Sequence, residues 1–178
     1  MKGAQCAAAS ACILIAFATT QFRLAGSESA PAPVDSAAAF EILKQLHGEW
    51  QGTVETRQGA AAKVIYRLTA NRKTLMEMLF PGTDHEMISM YHLDGNDLVM
   101  THYCSMGNQP RMKLASMKGG RLVFDFAGGS NLDPRKDTHI HSGSMTLVNE
   151  RELQTEWMIY QGEKPVGANR FFLARVSK

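Results

Sequence analysis

From Glu49 onward the chain is written in short stretches of alternating apolar and polar residues, broken by turn-forming clusters at roughly the 8 to 12 residue spacing of an all-β fold. These stretches are rich in β-branched, aromatic and methionine residues. They predict strands near 49–57, 62–70, 73–80, 86–93, 97–104, 111–117, 121–127, 138–148, 152–160 and 167–176. The intervening segments read as turns: "RQGA", "NRK", "PGTD", "DGND", "SMGNQP", "KGG", the longer "GGSNLDPRKD", "NER" and "GEKP". Ahead of the strands the period is helical. Phe40, Leu43 and Leu46 recur at i, i+3 and i+6 with Ile42 beside them, Asp35 or Ser36 can cap the start, and Gly48 lies just past the end. Ten strands in meander order have edges to hide, and closing the sheet on itself removes them. The expected fold is therefore all-β: a closed antiparallel up-and-down barrel of about ten strands, with a short N-terminal helix plugging one end. A two-sheet sandwich is the competitor, but the adjacent hairpin spacing favours closure over long crossings.

The N-terminus follows a different pattern. Lys2 precedes the small and apolar run Cys6–Thr20, and no acidic residue occurs before Glu28. The run falls short of the roughly 20 residues that span a bilayer and has the order of a secretory signal. The expected organisation is a signal peptide over 1–26, a flexible lead-in over 27–34 ("SESAPAPV") and the barrel domain over 35–178. That places the mature chain outside the cell or in the periplasm, with no stable membrane insertion once the signal is removed. Losing Lys2 and Arg23 leaves 17 basic against 17 acidic residues, scattered singly, so no nucleic-acid partner is expected. Cys6 and Cys12 also leave, which strands Cys104 without a partner in an oxidising compartment.

Candidate chemistry gathers in "THYCSMGNQPRM", residues 101–112. Alternation puts Leu98, Met100, His102 and Cys104 on one face of their strand. Gly107-Asn108 supplies residues tolerant of positive φ, Pro110 removes a donor where the loss is cheap, and Arg111 begins the returning strand close by. A second pair, His139 and His141, is also two residues apart on a strand. If both faces are interior, His102, Cys104, His139 and His141 supply the nitrogen and sulfur donors of a tetrahedral zinc site. The plainer reading of the same residues is a hydrogen-bonded polar layer at the barrel mouth. A nucleophilic Cys104, with His102 or Arg111 lowering its pKa, is the thiol-enzyme alternative, against which stands the ordinary role of a lone strand cysteine as a small buried residue. Met76, Met78, Met87, Met90, Met100, Met112, Met117, Met145 and Met158 all fall on predicted strands, and Met lining a barrel can adapt to an apolar guest. Trp50, Trp157, Phe124, Phe126, Phe171 and Phe172 suit either a filled core or a pocket wall. His85, His92, Asp125, Arg170 and the lid-length loop "SNLDPRKD" are weaker candidates.

The stretch "FEILKQLHGEWQGTVE", residues 40–55, resembles the opening of nitrobindin-like and related lipocalin-like (calycin) barrels, in which a short helix precedes a Gly-x-Trp-x-Gly strand; Gly48, Trp50 and Gly52 stand at those positions. Phe40 to Val176 also resembles a family of uncharacterised exported bacterial barrels, through "MYHLDGNDLVMTHYC" and "GNQPRM". Nitrobindin-like barrels bind haem through a histidine late in the chain. The last two strands here contain none, so that ligand has no matching position and a haem-binding barrel remains a minority alternative. The function expected is an exported binding protein for a small apolar or amphipathic molecule, with His102, Cys104, Arg111, His139, His141, Met100 and Trp50 around it. A zinc- or thiol-dependent enzyme built on the His/Cys cluster is the alternative, and the sequence leaves open whether the barrel is an enzyme at all.

Overall fold

The computed structural model describes residues 34–55 and 60–177; the expected signal segment 1–26 and all of the lead-in except Val34 lie outside the described residues. Among the described residues one helix, α1 (Ser36–Lys44), precedes ten strands: β1 (Gly48–Glu55), β2 (Ala60–Thr69), β3 (Thr74–Leu79), β4 (Met87–Asp94), β5 (Asp97–Tyr103), β6 (Gln109–Lys118), β7 (Arg121–Ser130), β8 (Thr138–Asn149), β9 (Glu152–Gln161) and β10 (Lys164–Arg175). Each strand pairs antiparallel with its sequence neighbours, and β1 pairs with β10 from Trp50↔Arg175 to Glu55↔Arg170. The barrel is closed, as the edge argument requires.

That last seam depends on a glycine. A Cβ at Gly52 would lie 1.9 Å from the Phe172 carbonyl oxygen, a clash with backbone that no rotamer relieves. Only glycine lets β1 and β10 come this close. Gly48 has a different task, turning the chain out of the helix and into β1 at φ +134°.

The helix closes one end. Asp35 Oδ1 accepts the Ala38 amide hydrogen at 2.9 Å, so the N-cap is Asp35. Ala39, Phe40, Leu43 and Leu46 are buried, and the helix packs on β4 and β5. Just beyond it the Trp50 indole donates to the Leu46 carbonyl at 2.8 Å. The Arg175 guanidinium lies 4.2 Å from the Trp50 ring and donates to the carbonyls of Gln45 (2.6 Å), His47 (2.8 Å) and Glu150 (2.8 Å). One side chain thus satisfies carbonyls that the end of α1 leaves open and ties them to the last strand. The other end of the barrel carries the 80–86, 104–108 and 131–137 connections.

The interior is packed. Trp50, Tyr66, Tyr91, Phe124, Leu75, Leu98, Met100, Met112, Leu122 and Met145 are all fully buried. The expectation that methionines line a cavity needs correction. Met100, Met112 and Met145 are core residues and Met87 and Met117 pack against the core, whereas Met76 and Met78 alternate against buried Leu75, Glu77 and Leu79 and face outward. Met76, with Glu86, Met87, Ile88, Met90 and Tyr103, borders a groove of about 400 Å³ on the outer wall.

Candidate functional site

The inward face of β3 reads Leu75, Glu77, Leu79, which puts a carboxylate in the middle of the core. The pairing register explains how it is tolerated. Tyr66 lies opposite Glu77, Glu77 opposite Ser89, and Ser89 opposite His102, so one row of polar side chains crosses β2, β3, β4 and β5. Tyr66 donates to Glu77 Oε1 at 2.7 Å and Tyr91 donates to Oε2 at 2.9 Å, with Ser89 next in the row. Burial raises the Glu77 pKa above the ordinary carboxylate range, and the three hydroxyls pull it back. The same burial, with the Glu77 charge added, holds both tyrosines well above their usual value.

Ser89 Oγ lies 3.0 Å from His102 Nδ1, and the imidazole tautomer decides which of the two donates. Burial lowers the His102 pKa from 6.5 to about 4, which keeps the ring neutral. Nε2 is itself buried and has no partner among the described residues.

One other buried side-chain atom among the described residues is in the same position: Asn108 Oδ1. It belongs to the same hairpin. Met100 pairs with Met112, and the Cys104 amide donates to the Asn108 carbonyl at 3.1 Å, so the register runs on to place Cys104 across from Asn108. Buried Asn108, Pro110 and Met112 alternate along one face. His102 and Asn108 are therefore diagonal cross-strand neighbours, a relation that separates Cβ atoms by roughly 7–8 Å. The turn itself is pinned from outside: Asn108 Nδ2 donates to the Thr138 carbonyl (2.9 Å) and Asn131 Nδ2 to the Gly107 carbonyl (2.8 Å).

His139 and His141 also meet, by an unexpected route. The β8–β9 register slips between Ile140 and Ser142, which leaves His141 as the extra residue of a bulge. His139 Nδ1–H donates to the Asp137 carbonyl at 3.0 Å, so its Nε2 is an acceptor for His141 Nδ1–H at 3.0 Å. The His141 ring is stacked between Phe126 (4.9 Å) and Tyr160 (4.1 Å). Burial, then the neighbouring His139, lowers the His141 pKa, with Asp125 acting in the opposite sense.

The four expected zinc ligands do not converge as a set. Among the described residues no three His, Cys, Asp or Glu side chains stand where they can hold one metal ion. His102 is committed to Ser89, the His139–His141 pair to itself, and half-buried Cys104 enters the turn through its backbone. Two other expected ligand-binding residues stand elsewhere. Odd-numbered positions of this part of β6 face outward, so Arg111 lies on the wall and bonds Asp94 at 2.6 Å. Trp50 belongs to the plugged end, and Met100 is in the core on the strand that carries His102. Of the weaker candidates, His85 is exposed, His92 bonds the adjacent Leu93 carbonyl, and Arg170 pairs with Glu156 rather than Asp125. Sequence reasoning missed Glu77, Tyr66, Ser89 and Tyr91 altogether and read Asn108 only as a turn former. The signal available was "LMEML", a glutamate at the centre of an otherwise apolar alternation.

No family model matches the chain, and no curated protein does. Among solved structures the chain is a distant neighbour of a protein of unknown function from the DUF3598 family of Nostoc punctiforme PCC 73102. The two share 10% identity over 78% of this chain and 99% of that one, with a TM-score of 0.21.

Proposed function

We propose that this is an exported, lipocalin-like binding protein that holds a small apolar or amphipathic molecule at the open end of its barrel. The observation that carries the reading is the buried, unpartnered Nε2 of His102, at the end of the Glu77–Ser89–His102 row. Burying a carboxylate and an imidazole in a core costs more than filling the same space with leucine, and a polar atom left without a partner adds to that cost. Such an arrangement fits a preorganised contact for a bound molecule. The plugged half of the barrel is filled by aromatic and aliphatic side chains, so the guest sits shallow. A cleft of about 380 Å³ bounded by Gly52, Ala62, Phe80 and Pro81 lies where β1 and β2 meet the 80–86 connection.

Export is supported by Lys2 and the apolar run Cys6–Thr20, and the balanced charge of the remaining chain argues against a nucleic-acid partner. No helix among the described residues is long and apolar enough to cross a membrane. Native mass spectrometry of protein taken from the exported fraction tests the reading. A mature chain lacking the N-terminal segment, carrying added mass that gentle activation releases, is the expected result. A full-length chain found only inside the cell, or a mature chain bare under every condition, contradicts export and binding respectively.

A further inference from the structure

We propose that the outer wall of the barrel binds one soft monovalent metal ion, copper(I), through the thioethers of Met76, Met78 and Met90. The proposal is independent of any guest at the open end. A sheet face turned to water normally carries polar side chains, and β6 and β7 comply with Arg111, Lys113 and Asp125. The outer face of β3 reads Thr74, Met76, Met78 instead, and that of β4 reads Ile88, Met90, His92. Met76 lies directly opposite Met90, and Met78 opposite Ile88, which makes Met78 the diagonal neighbour of Met90. Direct partners hold their Cβ atoms roughly 4.5–5.5 Å apart and diagonal ones roughly 7–8 Å. Unbranched side chains with three rotatable bonds can bring their sulfurs to one point above such a triangle. All three methionines are half-buried, and Met76 and Met90 border the groove of about 400 Å³, so the wall beside them is open to an ion. The donors then choose the metal. Thioether sulfur is soft and uncharged, which suits copper(I); zinc prefers imidazole and thiolate, and magnesium or calcium needs several oxygens. The carboxylate bordering the groove, Glu86, is held by the Gly82 amide at 2.7 Å. A surface that only docked another protein would be served as well by leucine.

The test titrates the full chain with copper(I) in the absence of oxygen, against the chelator bicinchoninate, with the methionine methyl groups ¹³C-labelled. Cys6, Cys12 and Cys104 are each changed to Ser so that no thiol competes. One ion per chain is expected, moving the Met76, Met78 and Met90 methyl resonances together, with a sulfur shell around the metal in copper X-ray absorption. Zinc should leave those resonances in place. Met76→Leu and Met90→Leu keep the surface apolar and should each weaken binding at least roughly tenfold, since losing a group that merely supports a ligand already costs that much. Changing all three methionines to Leu should abolish binding while the urea midpoint stays where it was. No saturable binding, or binding that survives the triple change, overturns the proposal. If the triple variant fails to fold, the methyl spectra of the parent decide: resonances that stay still while copper binds place the ion elsewhere and refute the site.

Discussion

Lowering the pH should cost this protein stability through His102, and replacing it with glutamine should abolish that part of the cost. The folded imidazole has a pKa of about 4 against 6.5 for an ordinary histidine, because protonation would place a charge in the core. Between those values the unfolded chain binds a proton that the folded chain does not, so stability is complete above pH 6.5 and falls as the pH drops through the folded value of about 4. At about 1.4 kcal/mol per pH unit, the loss reaches about 3 kcal/mol. Glu77 runs the other way: its raised pKa means that stability is gained as the pH falls through the folded value toward that of the unfolded chain. Both this term and the titration of His141 are common to wild type and variant and cancel in the difference. The assay is urea unfolding of wild type and His102→Gln from pH 7 to pH 4, with slopes checked for constancy. The glutamine amide can still donate to Ser89 Oγ, so the two proteins are compared with that contact kept. Stability curves that stay parallel to within about 0.5 kcal/mol over this range would refute the claim that His102 is buried in a neutral form.

Three further substitutions probe other parts of the account. Tyr91→Phe removes one donor from the buried Glu77 carboxylate and should cost about 1–3 kcal/mol; because that donor lowers the Glu77 pKa, its loss raises the pKa further, and the deficit in urea melts should be larger at neutral pH than near pH 4. Gly143→Ala puts a Cβ 2.0 Å from the Trp157 ring, which packs flat across this glycine beside Phe124; a loss of at least about 2 kcal/mol with a changed near-ultraviolet tryptophan signal is expected, and an unchanged signal would show that the ring is not there. Arg175→Met removes three hydrogen bonds to carbonyls and the contact with Trp50, and should cost about 2 kcal/mol while raising amide exchange in the last turn of α1.

The strand pattern and the closure were legible because both rest on local chemistry: alternation, turn residues and the need to hide edges. The direction of individual side chains was less so. Arg111 follows Pro110 by one residue and so faces outward, which the alternation already implied, yet its nearness to the turn suggested the mouth. Met76 and Met78 share a strand with Leu75, Glu77 and Leu79, and nothing in the sequence marks which set points inward until the polar partners of Glu77 are known. Those partners lie on β2 and β4, and they come together only through a register that the sequence does not display. His139 and His141 were expected to share a face by simple alternation, and the bulge at His141 replaces that relation with a direct bond between the rings. The His102 end of the site was visible as a cluster of unusual residue types. The row that orients it was not, because a lone glutamate, a serine and two tyrosines are unremarkable one at a time.

The charge on the His102 ring is the point from which the site's chemistry follows, and long-range ¹H–¹⁵N spectra of the ligand-free protein at neutral pH and near pH 5 read it directly. A single ring hydrogen under both conditions is the result this account requires, because burial holds the pKa at about 4. A hydrogen on both nitrogens near pH 5 would mean that the ring takes up a proton as an exposed histidine does, and would contradict the buried neutral imidazole.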